Sequence, residues 1–149
     1  MEFIEVKPSD IDLIDKIYNN EIESFGIMGG ADMWMIMSFI RYGKLYLLMN
    51  GDELLTVAQY QKIMGEESVF LYGFSTTPKN RNKGYGKELL QKVHIELKKL
   101  GIKKICLTVD PNNEIAIKMY KHLGYLIKDF QENEYGKGIH RFLMAKVLS

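Results

Sequence analysis

Between residues 69 and 109 the apolar pattern changes period twice. Val69 to Ser75 reads as a strand. Gly84 to Leu100 follows helical spacing, with Tyr85, Leu89, Val93, Leu97 and Leu100 on one face. Gly101 ends that helix, and Lys98-Lys99 suit its negative end. Ile105, Leu107 and Val109 then alternate as a strand again. A strand–helix–strand unit of this kind requires a crossover, and therefore locally parallel pairing. Upstream the signals are antiparallel. Lys44 to Met49 and Leu54 to Ile63 are strands joined through Asn50-Gly51-Asp52-Glu53, a strong hairpin signal. Met64-Gly65-Glu66-Glu67 reads as a second turn. The chain must therefore build a mixed sheet, and such a sheet needs helices over its faces.

The remaining segments supply them. Ile4 and Val6 form a short opening strand stopped by Pro8. Ser9 is placed to cap a helix from near Asp10, with Ile11, Ile14, Tyr18, Ile22 and Phe25 at helical spacing. Gly26 and Gly29-Gly30 break the pattern, and Asp32 is placed to cap a second helix running to about Arg41. Met33 to Ile40 is apolar almost all round, so it must bury most of its surface or line something. Asn112 is placed to cap a helix that runs to about Leu123 and stops at Gly124. Tyr125 to Gln131 and Ile139 to Val147 form a closing pair of strands. The order is βααβββαβαββ, an α/β (α+β) mixed sheet, expected to be one domain over residues 1–149.

Composition removes several classes. The 149 residues are 46% hydrophobic and 26% charged, an ordinary globular balance. Cys106 is the one cysteine and cannot form an internal disulfide. No apolar run reaches the roughly 18 residues a membrane span needs. The opening Met1 to Glu5 lacks the basic flank and apolar stretch of a signal peptide, so the expectation is a cytoplasmic protein. The net charge of +1 hides an asymmetry: residues 1–75 hold 5 basic and 12 acidic residues, residues 76–149 hold 15 and 7. The basic half is the whole case for a nucleic-acid-binding module. Its lysines are scattered over helices and turns, and no nucleic-acid motif accompanies them. His94, His122 and His140 form no metal-ligand pattern, so no metal is expected.

Two stretches carry chemistry. Pro78-Lys79-Asn80-Arg81-Asn82-Lys83-Gly84-Tyr85-Gly86-Lys87 lies between a strand and an amphipathic helix. Free N–H groups and the dipole at a helix start favour an anion. Glycines permit unusual dihedrals and close approach to a diphosphate. Arg81, Lys83 and Lys87 add positive charge. No Gly-Lys-Ser/Thr follows, so this is not a Walker loop, and the basic lead-in departs from the dinucleotide fingerprint. A basic loop with two turn glycines is the plain alternative. The second stretch is Asn112 to Tyr125, where Ala116 and Tyr120 share a helix face. Core packing explains Tyr120 as well as a role at a reacting centre does, and spacing alone does not decide.

Together the two stretches resemble the GNAT superfamily of acyl-coenzyme A dependent N-acyltransferases. Arg81-Asn82-Lys83-Gly84-Tyr85-Gly86 is similar to that family's Arg/Gln-x-x-Gly-x-Gly/Ala loop. Asn113, Ala116, Tyr120 and Gly124-Tyr125 are similar to its later Asn-x-x-Ala-x-x-x-Tyr-x-x-x-Gly-Phe pattern, with Tyr125 in place of Phe. The resemblance implies acetyl-CoA as cosubstrate, bound where two parallel strands, about 70–76 and 104–109, splay apart. It implies that the backbone at Phe74, Ser75 and Thr76 pairs with the pantetheine arm. Amides from Asn82 to Lys87 would hold the pyrophosphate, Asn113 and Ala116 would border the cofactor arm, and Tyr120 would lie near the thioester sulfur. It implies an N-acetyltransferase acting on a primary amine of a small molecule or peptide, as monomer or homodimer, with no membrane or nucleic-acid partner. A non-catalytic acyl-CoA binding or sensor domain is the competing reading.

The general base stays open. The strand centre Phe70-Leu71-Tyr72-Gly73-Phe74 carries no acid, unlike many relatives. Glu66, Glu67, Glu21 and Glu23 are the candidates to act through water, and for each an ordinary surface charge is the competing reading. Glu21 and Glu23, at the end of the first helix, are the acids expected to face the acceptor, with Tyr72 as a further contact that strand packing explains equally well. Cys106 is expected to act as a small buried hydrophobe.

Overall fold

The computed structural model describes residues 1–27 and 29–149. Met28, part of the methionine-rich segment before the second helix, lies outside the described residues. Seven strands form one sheet: β1 (Glu2–Glu5), β2 (Lys44–Asn50), β3 (Glu53–Lys62), β4 (Ser68–Thr76), β5 (Lys104–Val109), β6 (Leu126–Gln131) and β7 (Arg141–Val147). Their spatial order is β1-β2-β3-β4-β5-β7-β6. Four helices accompany them: α1 (Ile11–Phe25), α2 (Met33–Tyr42), α3 (Tyr85–Lys99) and α4 (Glu114–His122), with a single 3-10 turn at Pro78–Asn80. Only β4 and β5 run parallel. The expected mixed sheet and element order are present.

Two cores sandwich the sheet. On one face α1 and α2 bury Ile14, Ile17, Ile36 and Phe39 against Leu45, Leu47 and Val57. On the other α3 and α4 bury Leu89, Val93, Leu97 and Tyr120 against Tyr60, Leu71, Ile105, Leu107 and Met144. Strand alternation sends neighbouring residues to opposite cores, as with Tyr46 and Leu47.

Several local expectations are corrected. Asp10, not Ser9, stands at the N-cap of α1, and its carboxylate accepts from the Lys7 N–H at 2.7 Å. Ile14 and Ile17 carry the buried face, while Ile11 and Phe25 are exposed. α2 is capped by Asp32, which accepts from Met35 N–H at 2.9 Å. It does not bury all its surface: Ile36, Phe39 and Ile40 are buried, but Trp34 is 86% exposed. Leu100 is exposed beyond the end of α3. The hairpin turn centres on Gly51-Asp52, with Gly51 at φ 60°. Asn113, not Asn112, caps α4, accepting from Ala116 N–H at 3.1 Å, while Asn112 N–H donates to Asp110 at 2.9 Å. No helix of the described residues is long and apolar enough to cross a membrane.

Candidate active site

β4 and β5 pair over Ser68–Leu71 and Lys104–Leu107 and then separate. The separation coincides with a bulge. Tyr60 pairs with Leu71 and Gln59 with Gly73, which leaves Tyr72 as an extra residue in β4. A bulge bends its strand and adds twist, moving the end of β4 away from β5. It also fixes which backbone groups face the opening. Ser75 carbonyl accepts from Thr56 Oγ1 at 3.0 Å, and Thr77 N–H donates to Leu55 carbonyl at 2.9 Å, so both point at β3. By alternation Phe74 and Thr76 present their backbone groups to the unpaired side. The Ser75 side chain accepts from buried Asn20 at 2.9 Å, tying α1 to this stretch.

The opening is a cleft of about 480 Å³. The sequence-derived candidates Glu21, Tyr72, Phe74, Asn113, Ala116 and Tyr120 line it together. Glu23, Ser75, Thr76 and the Arg81–Lys87 stretch do not line it; Glu23 is exposed on α1. Tyr120 is 7% exposed, and burial holds its phenol above the ordinary range. Its ring lies 6.4 Å from that of Phe74 and 5.6 Å, edge-on, from Tyr125. The Tyr125 hydroxyl pairs with His94 Nε2 at 2.8 Å, and burial takes His94 down to about 4. His140 Nδ1 accepts from Asn133 N–H at 3.0 Å.

Beside the end of β4 the helix α3 begins at Gly84, which has φ 83° and no side-chain cap. The helix's first internal bond runs from Glu88 N–H to Gly84 carbonyl at 3.0 Å, so Tyr85, Gly86 and Lys87 N–H precede it. Nothing stands within 4 Å of a Cβ built on Gly84, so the helix start faces open space. Asn82 is also left-handed, at φ 63°. Arg81 Nε donates to Thr76 carbonyl at 3.1 Å, which clips the loop to β4. Gly86 serves packing: a Cβ there would lie 2.6 Å from Phe74 Cζ. An uncapped helix start with a left-handed, open lead-in fits an anion such as a diphosphate.

On the opposite wall Glu21 is 2% exposed, its carboxylate bonded to Gln59 Nε2. Burial raises its carboxyl, opposed by the bond from Gln59 and one from the Ala31 backbone. Gly30 crosses directly over it, since a Cβ there would lie 2.8 Å from Glu21 Oε2. Glu66 and Glu67 sit at the far end of β4, paired with Lys104 at 3.4 Å and Lys103 at 2.9 Å. Both precede β4, and neither lines the cleft.

A sequence model of the Acetyltransferase (GNAT) family matches residues 15–125. The chain belongs to the GNAT acetyltransferase family. An uncharacterized N-acetyltransferase, YfmK of Bacillus subtilis (strain 168), is 29% identical over 72 residues, covering 48% of each protein, so the match spans about half of that relative. In fold, this GNAT chain is similar to the ribosomal-protein-S18-alanine N-acetyltransferase of Escherichia coli. The TM-score is 0.82 at 22% identity, over 99% of this chain and 94% of that one. It is likewise similar to an aminoglycoside 6'-N-acetyltransferase complexed with coenzyme A, with a TM-score of 0.85 at 16% identity over 100% and 98%.

Sequence reasoning missed four contributors to this GNAT cleft. Tyr135 reaches it from the β6–β7 connection, Arg141 from the first residue of β7, and Thr108 and Asp110 from the end of β5. Thr108, Asp110 and Arg141 share one sequence signal, a place at or next to a strand end; Tyr135, in mid-loop, has none. Gln59, the partner of Glu21, carried no signal at all. Among the described residues no group of three or more His, Cys, Asp or Glu side chains is placed to hold a metal.

Proposed function

We propose that residues 1–149 act as a single domain that moves an acetyl group from acetyl-CoA to a primary amine of a small molecule or peptide by direct attack. The observation that carries this reading is the parting of β4 and β5 past Leu71 and Leu107, with Tyr120 on its lip and the uncapped start of α3 beside it.

Amides of Tyr85, Gly86 and Lys87, with Asn82 and Gly84 shaping the approach, hold the pyrophosphate, and Arg81, Lys83 and Lys87 add charge. The Phe74 backbone and the Thr76 N–H offer strand-edge groups to the pantetheine arm, the Thr76 carbonyl being held by Arg81; Ser75 supports them through Asn20 and Thr56. The Asn113 carbonyl oxygen is spent on its cap, which leaves its amide N–H₂ for the cofactor, and Ala116 keeps the wall thin.

The bond balance is simple. The amine nitrogen bonds to the thioester carbon, the carbon–sulfur bond breaks, and one proton leaves the nitrogen while one reaches the sulfur. Phe74 N–H faces the carbonyl oxygen as charge gathers there. Glu21 takes the amine proton through water, since a carboxyl raised by burial is a better base. Tyr120 donates toward the departing sulfur; burial favours the neutral form of phenol and thiol alike. Holding donor and acceptor together supplies much of the acceleration. Cys106 is buried on β5 with its thiol raised by burial, which suits packing and not nucleophilic attack.

The test is an acetyl-CoA assay across polyamines, amino acids, aminoglycosides and peptide N-termini, reading free coenzyme A and acetylated product by mass. Acetylated product from at least one amine is expected. Coenzyme A binding with no product across the panel would leave a non-catalytic binding domain.

A further inference from the structure

Resting on the acetyl-transfer reading above, we propose that the acceptor carries a carboxylate beside its primary amine, and that Arg141 recognises it. Arg141 opens β7. Its neighbour Phe142 packs into the core under α3 and α4, so alternation sends Arg141 to the other sheet face, the one from which Glu21 and Tyr72 reach the cleft. Two contacts orient its guanidinium. Nη1 donates to the His140 carbonyl at 2.7 Å, and the charge lies 5.5 Å from the centroid of the Tyr135 ring. Tyr135 is itself fixed, its hydroxyl 2.9 Å from Thr108 Oγ1 on β5.

Neither contact brings a negative charge. Among the described residues no carboxylate lies within 4.0 Å of Arg141. Asp110 shares the lining, but its carboxylate accepts from the Asn112 N–H at 2.9 Å and forms no ion pair with Arg141; a half-buried, aromatic-backed arginine of this kind is suited to an external oxyanion. In the acetyl-transfer reading the phosphates of coenzyme A are held at the start of α3, whose residues do not line the cleft that Arg141 lines. Glu21, Tyr72, Tyr135 and Arg141 all line the one cleft. An amine bound near Glu21 with a carboxylate toward Arg141 therefore meets opposite charges on facing walls. The bond from Tyr135 to Thr108 ties the β6–β7 connection to β5 beside Arg141. Phe25, Leu71 and Met119 in the lining suit an apolar side group.

Steady-state kinetics with acetyl-CoA test this on L-methionine, L-leucine and L-phenylalanine, each against its C-terminal amide, with O-phosphoethanolamine as a phosphate arm. In the unaltered protein the acids are expected to exceed the amides in kcat/KM by roughly 10- to 100-fold, the size of a charge-assisted pair. Arg141→Gln should raise KM for the acids by that factor and leave KM for the amides and for acetyl-CoA within about twofold. Arg141→Lys should recover part of the loss, because it keeps the charge and loses the fork. Amides used as well as acids, an equal loss on both in Arg141→Gln, or a preference for O-phosphoethanolamine would overturn the proposal while leaving acetyl transfer standing. If no amine is acetylated, calorimetry of the three acids into the coenzyme A-bound protein decides. Binding that Arg141→Gln abolishes supports the anion site, and no binding of any of the three overturns it.

Discussion

Leu71 and Leu107 are the last residues at which β4 and β5 run as paired neighbours. One residue later, the extra residue Tyr72 parts the strands and turns Phe74 toward the gap. Tyr120 and Phe74 then meet across it from α4 and β4, 6.4 Å between ring centroids. The opening and the groups that face it thus have one cause in the backbone.

Tyr120→Phe should lower kcat by roughly 100-fold, the low end for a positioned proton donor, with acetyl-CoA affinity nearly unchanged. Its melting temperature should stay close to that of the unaltered protein, because the hydroxyl has no protein partner among the described hydrogen bonds. Kinetics and calorimetry on the same preparation check both. A variant with full activity would return Tyr120 to packing alone.

Gly84→Val should fold, since open space surrounds its Cβ, but at a cost of about 1–2 kcal/mol for a left-handed β-branched residue. Its acetyl-CoA affinity should fall at least about tenfold, because the side chain projects before the amides that hold the diphosphate. Gly86→Ala should weaken binding by another route, by pushing Phe74 from the helix start. Titration calorimetry on folded variants reads each effect.

Glu21 and Glu23 should part company. The sequence alone placed both toward the acceptor. Glu21 is buried against Gln59, whereas Glu23 is exposed and outside the cleft lining. Glu21→Gln should depress kcat/KM for the acceptor at both low and high salt, because a buried charge is little screened. Glu23→Gln should change neither Michaelis constant. In the unaltered protein kcat/KM should fall as pH drops through the raised pKa of Glu21, where its carboxylate gains a proton. That acid limb should be missing in Glu21→Gln.

His94 should make stability depend on pH. Its folded value, about 4, lies below the ordinary 6.5, so the unfolded chain binds the proton first. Its contribution is whole above pH 6.5 and is lost as pH falls toward 4. Glu21, raised when folded, acts in the opposite direction as pH falls toward its ordinary value. Urea unfolding at pH 7.5 and 5.0 should show a loss of on the order of 1–2 kcal/mol that His94→Gln reduces. An identical loss in the variant would remove His94 as the cause.

Much of the fold was legible because its signals are local. The change of period at Gly84 to Leu100, the glycine turns and the Asp32 cap each depend on a few neighbouring residues. Asn112 and Asn113 show the limit: both are cap residues, and the choice is made by Asp110, which occupies the Asn112 N–H. On α1, Ile14 and Tyr18 of the expected series do meet the core, whereas Ile11 and Phe25 at the helix ends are exposed and Ile17 joins the buried face. In the site, the loop at the start of α3 and Tyr120 were visible as patterns. Arg141, Tyr135 and Gln59 were not, since each reaches the cleft or its wall through strand pairing between segments remote in sequence.

The most direct measurement is amide hydrogen exchange with and without acetyl-CoA. The account predicts new protection at Phe74 and Thr76 and at Tyr85 to Lys87, with the β3-facing amide of Thr77 unchanged. Protection elsewhere, or none at the start of α3 under saturating acetyl-CoA, would contradict the placement of acyl transfer between β4 and β5.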